Sequence, residues 1–231
     1  MSVIEQNLNH IQDNIKASCE KSGRNPFDIT LIGVTKTIDT GRISELVSFG
    51  IKDLGENRVQ ELLEKEPVIG SGVNWHLIGH LQTNKVKSIV GKVKLIHSLD
   101  SLRLAQEIDK QAKLLNISAN VLIEINIAAE KSKFGINPDE LNDFLEEIAN
   151  YSGLAVKGLM CVAPYVEKPE ENRDYFRKMR QMFVDSSAKS LNNIHMQCLS
   201  MGMTNDYEIA IEEGANIIRV GTGIFGERDY T

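Results

Sequence analysis

Cysteine is scarce and scattered: the 231 residues hold 3, at Cys19, Cys161 and Cys198. An odd, dispersed set builds neither a disulfide framework nor a cysteine-rich metal site. It points to a reducing cytoplasm. Long apolar runs are missing too. Stretches such as Val121-Leu122-Ile123 end at a charge, Glu124, far short of the roughly 20 residues that span a bilayer, so no membrane role is expected. Met1-Ser2-Val3-Ile4-Glu5 lacks the basic start and apolar stretch of a secretory signal. Cationic surplus is absent as well. With Lys+Arg 26 and Asp+Glu 32 the net charge is −6, which leaves no excess cation to displace counterions from a nucleic acid.

What is present alternates. Ile4, Leu8, Ile11 and Ile15 share one helical face and Gly23 ends that helix. Short β-branched runs follow at 29–34, 52–54, 75–78, 94–96, 120–127, 156–162, 196–199 and 217–220, separated by amphipathic stretches such as Leu102, Ala105, Ile108 and Ala112. Asn137 before Pro138 marks one helix start. Strand starts recur roughly every 27 residues, the length of a βα unit in a parallel sheet. Eight such units predict an α/β protein, a single (β/α)₈ TIM barrel with an extra N-terminal helix over 1–22 packed on it. An open doubly wound sheet normally has fewer strands and often carries a Gly-x-Gly-x-x-Gly turn after the first. Here Thr35-Lys36-Thr37 follows instead. No linker or low-complexity stretch divides the chain, so 1–231 is expected to be one domain, and a compact barrel of this kind is expected to be a monomer.

In such a barrel the chemistry gathers at the C-terminal ends of the strands. Strand alternation puts Ile32, Val34 and Lys36 on one face, which brings an amine to the mouth. A desolvated lysine is a nucleophile, whereas a solvated one merely ends a strand. The seventh strand runs into Leu199-Ser200-Met201-Gly202-Met203-Thr204, with Thr204 a helix cap. The eighth runs into Gly221-Thr222-Gly223. Loops at these two places form the usual barrel phosphate site. Arg219, inside an apolar strand, needs a partner: an ion pair with Glu124, a ligand, or both. Asn57, with Gln60 three residues on, reads as a capping box. His76 and His80 lie near the rim without the companions of a zinc site. Lys85 and Lys133 are weaker rivals of Lys36, because loops and early helical turns solvate them. A reactive amine, a phosphate cup and an arginine on one rim suit an aldehyde-bearing phosphate, and pyridoxal 5′-phosphate (PLP) meets all three requirements. A cofactor-independent Schiff-base aldolase would need a second lysine or acid beside Lys36.

Several motifs together resemble the pyridoxal phosphate homeostasis protein family, which is alanine-racemase-like. They are Val34-Thr35-Lys36, Leu54-Gly55-Glu56-Asn57, the run from Trp75 to Lys85, the run from Glu130 to Gly135, Gly158-Leu159-Met160, Leu199-Ser200-Met201-Gly202-Met203 with Asp206, and the run from Arg219 to Gly226. They span nearly the whole chain in order. The resemblance implies a fold-type III PLP barrel with the cofactor on Lys36, phosphate contacts from Ser200, Met201, Gly202, Gly221 and Thr222, Arg219 near the pyridine nitrogen, and Asn57 in the pocket. Arg58, where an aromatic is common, and Ala128-Ala129, in place of a more polar pair, depart from the family pattern at the pocket edge. Related racemases add a second domain bearing a catalytic tyrosine, for which this chain has no room. Tyr165 is either a substitute acid or a surface residue. An arginine keeps its proton and leaves the pyridine nitrogen without one. The expected role is therefore non-catalytic or weakly catalytic PLP buffering or delivery, serving amino-acid and keto-acid balance and transiently meeting PLP-dependent apo-enzymes. The alternative is a racemase-like PLP enzyme.

Overall fold

The structure is a computed structural model that describes residues 1–130, 133–189 and 191–227. Lys131 and Ser132 of the Glu130–Gly135 motif lie outside the described residues. The strands are β1 (Thr30–Val34), β2 (Asp53–Glu56), β3 (Asn74–Leu77), β4 (Leu95–Leu99), β5 (Ala119–Ile125), β6 (Leu154–Cys161), β7 (Ile194–Ser200) and β8 (Ile217–Val220). The helices are α1 (Val3–Ser22), α2 (Thr40–Ser48), α3 (Val59–Ile69), α4 (Leu102–Leu114), α5 (Leu141–Ile148), α6 (Arg173–Ser187), α7 (Tyr207–Glu212) and α8 (Thr222–Phe225). A 3₁₀ turn over Thr83–Ser88 stands where a helix would join β3 to β4.

Every strand pairs in parallel with its neighbours, and β8 returns to β1 with Ile32 opposite Arg219, closing the predicted barrel. Closure removes the exposed edges an open sheet would carry. α1 begins with a capping box, Ser2 and Glu5 exchanging hydrogen bonds with each other's backbone, and ends at Gly23 in the left-handed conformation. Its buried face, Ile4, Leu8, Ile11, Ile15 and Cys19, packs toward α7 and α8. Asn7 donates to the Ile224 carbonyl (3.0 Å) and Asn14 to the Tyr207 hydroxyl (3.0 Å), which fixes α1 against the last two units.

The apolar core divides. The larger part lies between sheet and helices. A small cluster of Ile32, Leu95, Leu122, Met160 and Ile217 lies apart from it. Alternation assigns that cluster to the lumen, because a side chain on neighbouring Gly33 would strike Leu46 of α2 on the outside. Gly55 turns inward, where a Cβ would stand 2.8 Å from Ile32. The remaining lumen is polar, with His76, His97, Ser200 and Arg219 all buried. This explains one strand bound: a reading of apolar runs stops β4 at Ile96, whereas the strand continues through the inward His97 to Leu99. β2 also runs past Leu54 to Glu56, whose outward carboxylate pairs with Lys65 of α3.

The β6–β7 ladder shifts register between Val156 and Gly158. Gly158 has φ +151, and a Cβ there would lie 1.8 Å from the Cys198 carbonyl oxygen. Gly158→Ala is therefore expected to cost more than about 3 kcal/mol. Urea unfolding checks this, and a loss below about 1 kcal/mol would contradict the close approach.

Candidate functional site

The turn that carries Lys36 is held on both sides. β1 ends at Val34, and Thr35, Lys36 and Thr37 follow, with Thr37 at φ 62. Before the lysine, the Thr35 amide donates to the Gly55 carbonyl (2.9 Å) and its hydroxyl to Glu56 Oε1 (2.6 Å). After it, the Thr37 amide donates to Glu61 Oε2 (2.9 Å). Lys65 ties the two halves together, donating to the Thr35 carbonyl (2.8 Å), Glu56 Oε1 (2.7 Å) and Glu61 Oε2 (3.0 Å). Glu61 and Lys65 stand one turn apart on α3, so one helix face supplies both. Burial raises the Glu56 carboxyl, and hydrogen bonds from Lys65 and Thr35 counter it. Lys36 itself is half-buried and, among the described residues, in no ion pair. Lys65→Met leaves Glu56 buried and uncompensated, and is expected to cost about 3 kcal/mol. Adding Glu56→Gln should recover more than half of that in chemical denaturation, and additive losses would refute the coupling.

The loops after β7 and β8 meet. Thr204 is not the expected cap. Its hydroxyl accepts from the Gly223 amide (3.2 Å) and lies 3.2 Å from the Thr222 hydroxyl. Asp206 holds the turn in its place, accepting from the Met203 amide (2.7 Å) and from Asn172 (2.8 Å). Gly202 is left-handed (φ +89), where a Cβ would strike Ala210, and its carbonyl accepts from the Arg219 amide (3.1 Å). Met201 is buried and Thr222 exposed, and Gly221 precedes α8 without a side-chain cap. First-turn amides of a helix have no intrahelical acceptor.

Arg219 is 4% exposed. It does not form the expected ion pair with Glu124. Its Nη1 donates to Ser200 Oγ (2.5 Å) and its Nη2 to the Cys161 carbonyl (2.8 Å). The Ser200 hydroxyl, expected at the phosphate, is fully buried and turned to Arg219 instead. From Ser200 a line of polar contacts crosses the lumen. Ser200 Oγ lies 3.1 Å from His97 Nδ1, His97 Nε2 lies 3.0 Å from His76 Nδ1, and His76 Nε2 lies 3.0 Å from Asp53 Oδ1. Lys94 donates to the same Asp53 oxygen (2.9 Å). Burial drives both imidazoles below the usual histidine range, His97 furthest, and Arg219 adds to the effect on His97. Asp53 is pulled down to about 2 by hydrogen bonds from His76 and Lys94, which overcome its burial.

At the rim, His80 bonds Asp100 (2.9 Å) and stacks on Phe134 with ring centroids 3.8 Å apart. Asn57 is no cap: α3 starts after Arg58 without a side-chain cap bond. The Asn57 backbone is packed so closely on Gly79 that a Cβ at 79 would lie 2.4 Å from the Asn57 carbonyl oxygen. Tyr165, on the loop after β6, is 88% exposed, which is the surface alternative. Lys133 pairs with Glu130 (2.7 Å). Glu124, on β5, is pushed up to about 7 by burial and by Asp100, against the pull of Arg219. A carboxyl raised in the folded state gives stability that is full below its usual 4.5 and is lost as pH climbs through about 7. Glu124→Gln in the cofactor-free protein should therefore gain on the parent by on the order of 2 kcal/mol between about pH 4.5 and about pH 8. A pH-independent difference in urea unfolding would contradict this placement of the carboxyl.

The family model for the alanine racemase N-terminal domain matches residues 6–229. A pyridoxal phosphate homeostasis protein of Aquifex aeolicus is 45% identical over 226 residues, 97% of this chain and 98% of that protein. This chain belongs to the pyridoxal phosphate homeostasis protein family. Another structure, PipY of Synechococcus elongatus with PLP bound, superposes with a TM-score of 0.80 at 30% identity, covering 92% of this chain and 100% of PipY. An alanine racemase of Clostridium difficile shares the fold alone, at 18% identity and TM-score 0.72, and the match covers 97% of this chain but 56% of the racemase. The matches thus cover about half of the racemase but nearly all of the Aquifex aeolicus protein and of PipY.

His97, Asp53 and the Glu56–Lys65–Glu61 cluster are not among the residues that the sequence pattern singles out. A signal existed for two of them. His97 lies two residues beyond Leu95, on the same strand face. Lys65 lies three residues beyond Leu62, on the buried face of α3.

Proposed function

We propose that this chain is a single barrel domain that binds PLP through Lys36 and holds it for release or transfer to PLP-dependent apo-enzymes in the cytoplasm, without turning over amino acids. One observation carries the reading. Lys36 just past the end of β1, the Arg219 guanidinium on β8 and the touching loops after β7 and β8 belong to neighbouring units of the closed barrel.

The residues present fit the group. A guanidinium carries five N–H donors and no acceptor, and two of the Arg219 contacts, to Ser200 and Cys161, go to protein acceptors. Its remaining donors suit an unprotonated ring nitrogen. Gly202, Gly221 and Thr222 offer backbone and hydroxyl donors for a phosphate, with Met201 buried beneath them and Asn57 at the pocket edge. Ser200 acts from behind, through Arg219. When bound, PLP supplies an aldehyde able to join an amine as an imine, and an electron-withdrawing ring. Arg219 does not surrender a proton, so the ring nitrogen stays neutral and the withdrawal is weak. The clamp around Thr35 and Thr37 fixes the backbone on both sides of Lys36. These features favour retention over turnover.

Mixing the purified protein with PLP should give a visible absorption band that borohydride fixes onto Lys36, and Lys36→Ala should lose the band while keeping the fold. In deuterated water, L-alanine should gain label at Cα far more slowly than about 1 per second. A band retained in Lys36→Ala would overturn the attachment. Labelling at enzyme-like rates would overturn the non-catalytic role and favour the racemase reading.

A further inference from the structure

The polar contacts in the lumen have a direction that can be worked out from their two ends. Arg219 can only donate, so Ser200 Oγ accepts from Nη1 at 2.5 Å. At the far end Asp53, ionised, can only accept, so His76 Nε2 carries a proton and donates at 3.0 Å. A neutral imidazole has one donor and one acceptor nitrogen. His76 Nδ1 therefore accepts, and His97 Nε2 donates to it at 3.0 Å. His97 Nδ1 is left an acceptor, and the Ser200 hydroxyl donates to it at 3.1 Å. Each hydrogen bond points away from Arg219.

The route crosses the barrel. Arg219 and Ser200 sit at the C-terminal ends of β8 and β7, His97 and His76 on β4 and β3 across the lumen, and Asp53 at the start of β2. There Lys94 shares the Asp53 carboxylate, beside a cavity of about 240 Å³ at the opposite mouth. His76 is 1% exposed, while His97 and Ser200 are fully buried. The charged groups facing this line are Arg219 at one end and Asp53 and Lys94 at the other, with Glu124 of β5 acting on Arg219. A proton added to either ring would turn an acceptor nitrogen into a donor and break the sequence of bonds.

We infer that His97 and His76 are positioning residues for Arg219. As two neutral Nε2–H imidazoles they anchor a one-way hydrogen-bond line from the guanidinium through Ser200 to Asp53, which fixes the remaining guanidinium donors toward the cofactor mouth. This rests on the reading that Arg219 faces the PLP ring nitrogen, but one arm of the test is independent of PLP.

Long-range proton–nitrogen spectra of the cofactor-free protein, labelled with ¹⁵N-histidine and recorded at about pH 6 and about pH 7.5, should show both rings neutral and in the Nε2–H form. Signals are assigned by their loss in His76→Gln and His97→Gln, or by contact with the labelled neighbouring ring where those variants do not fold. An Nδ1–H form or a charged ring at either residue overturns the inference. In the second arm, His97→Leu should weaken PLP binding about tenfold, the worth of one good hydrogen bond to a charged group, and shift the visible band. His97→Asn, whose side-chain oxygen can still accept from Ser200, should stay nearer the parent. A folded His97→Leu with unchanged affinity and band overturns the positioning role. If the parent protein takes up no PLP, the proposed function fails, whereas the spectra still decide the direction of the line.

Discussion

A guanidinium shut inside a closed barrel is the constraint around which the rest of this molecule is arranged. Arg219 is 4% exposed, and a cation taken from water without compensation is costly. No carboxylate touches it among the described residues. Compensation comes from dipoles, the Cys161 carbonyl and the Ser200 hydroxyl, and from the more distant charges of Asp206 and Glu124. The choice has consequences. A directly bonded carboxylate would neutralise the cation and occupy its fork. Dipoles leave both the charge and several donors available at the mouth. Burial, with a smaller push from this cation, drives the neighbouring His97 imidazole well below the usual histidine range, which favours one interior cation rather than three.

Rigidity is then placed around that cation's loops and around the turn that carries Lys36. The ion cluster of Lys65 with Glu56 and Glu61 lies outside the lumen, between β2 and α3, yet every one of its bonds to the first unit lands on the residue before or after Lys36. On the other side, the left-handed turn at Gly202 and the contact of Thr204 with Gly223 lock the two loops to each other. Buried ion clusters are weak contributors to stability compared with apolar packing. Their value here is geometric, because a turn carrying a non-glycine residue at positive φ needs its surroundings to specify it.

Legibility in the sequence followed the physics of burial. The eight βα units were readable because each strand has an outer face packed on helices, and that face is apolar: Leu54, Trp75, Leu77 and Leu199 among others. Lys36 and the loops after β7 and β8 were readable because barrels place chemistry at strand ends. What escaped was the inner face. A lumen containing Asp53, His76, His97 and Arg219 breaks the apolar runs that reveal strands, and so β4 was cut before His97. Partner choice was also illegible. The acid expected for Arg219 was Glu124, the nearest candidate in an apolar strand, but three-dimensional closure brought Ser200 and Cys161 closer. Thr204 and Asn57 failed as helix caps for a local reason: each helix starts two or three residues later, after Arg58 and Asp206.

These arrangements bear on why a racemase-like barrel would serve as a holder. Turnover of an amino acid needs proton carriers on both faces of the cofactor and a ring that withdraws electrons. On the proposed reading, the arginine would weaken the second requirement by leaving the ring nitrogen unprotonated. The first would need a mobile group opposite Lys36; among the described residues, His80 is bonded to Asp100 and stacked on Phe134, and Tyr165 is 88% exposed. Glu124 remains, with its carboxyl near neutrality. A single carboxyl poised in this way cannot supply both faces. On the proposed reading, one amine, one fixed cation and one soft acid would serve capture and release of the cofactor rather than turnover.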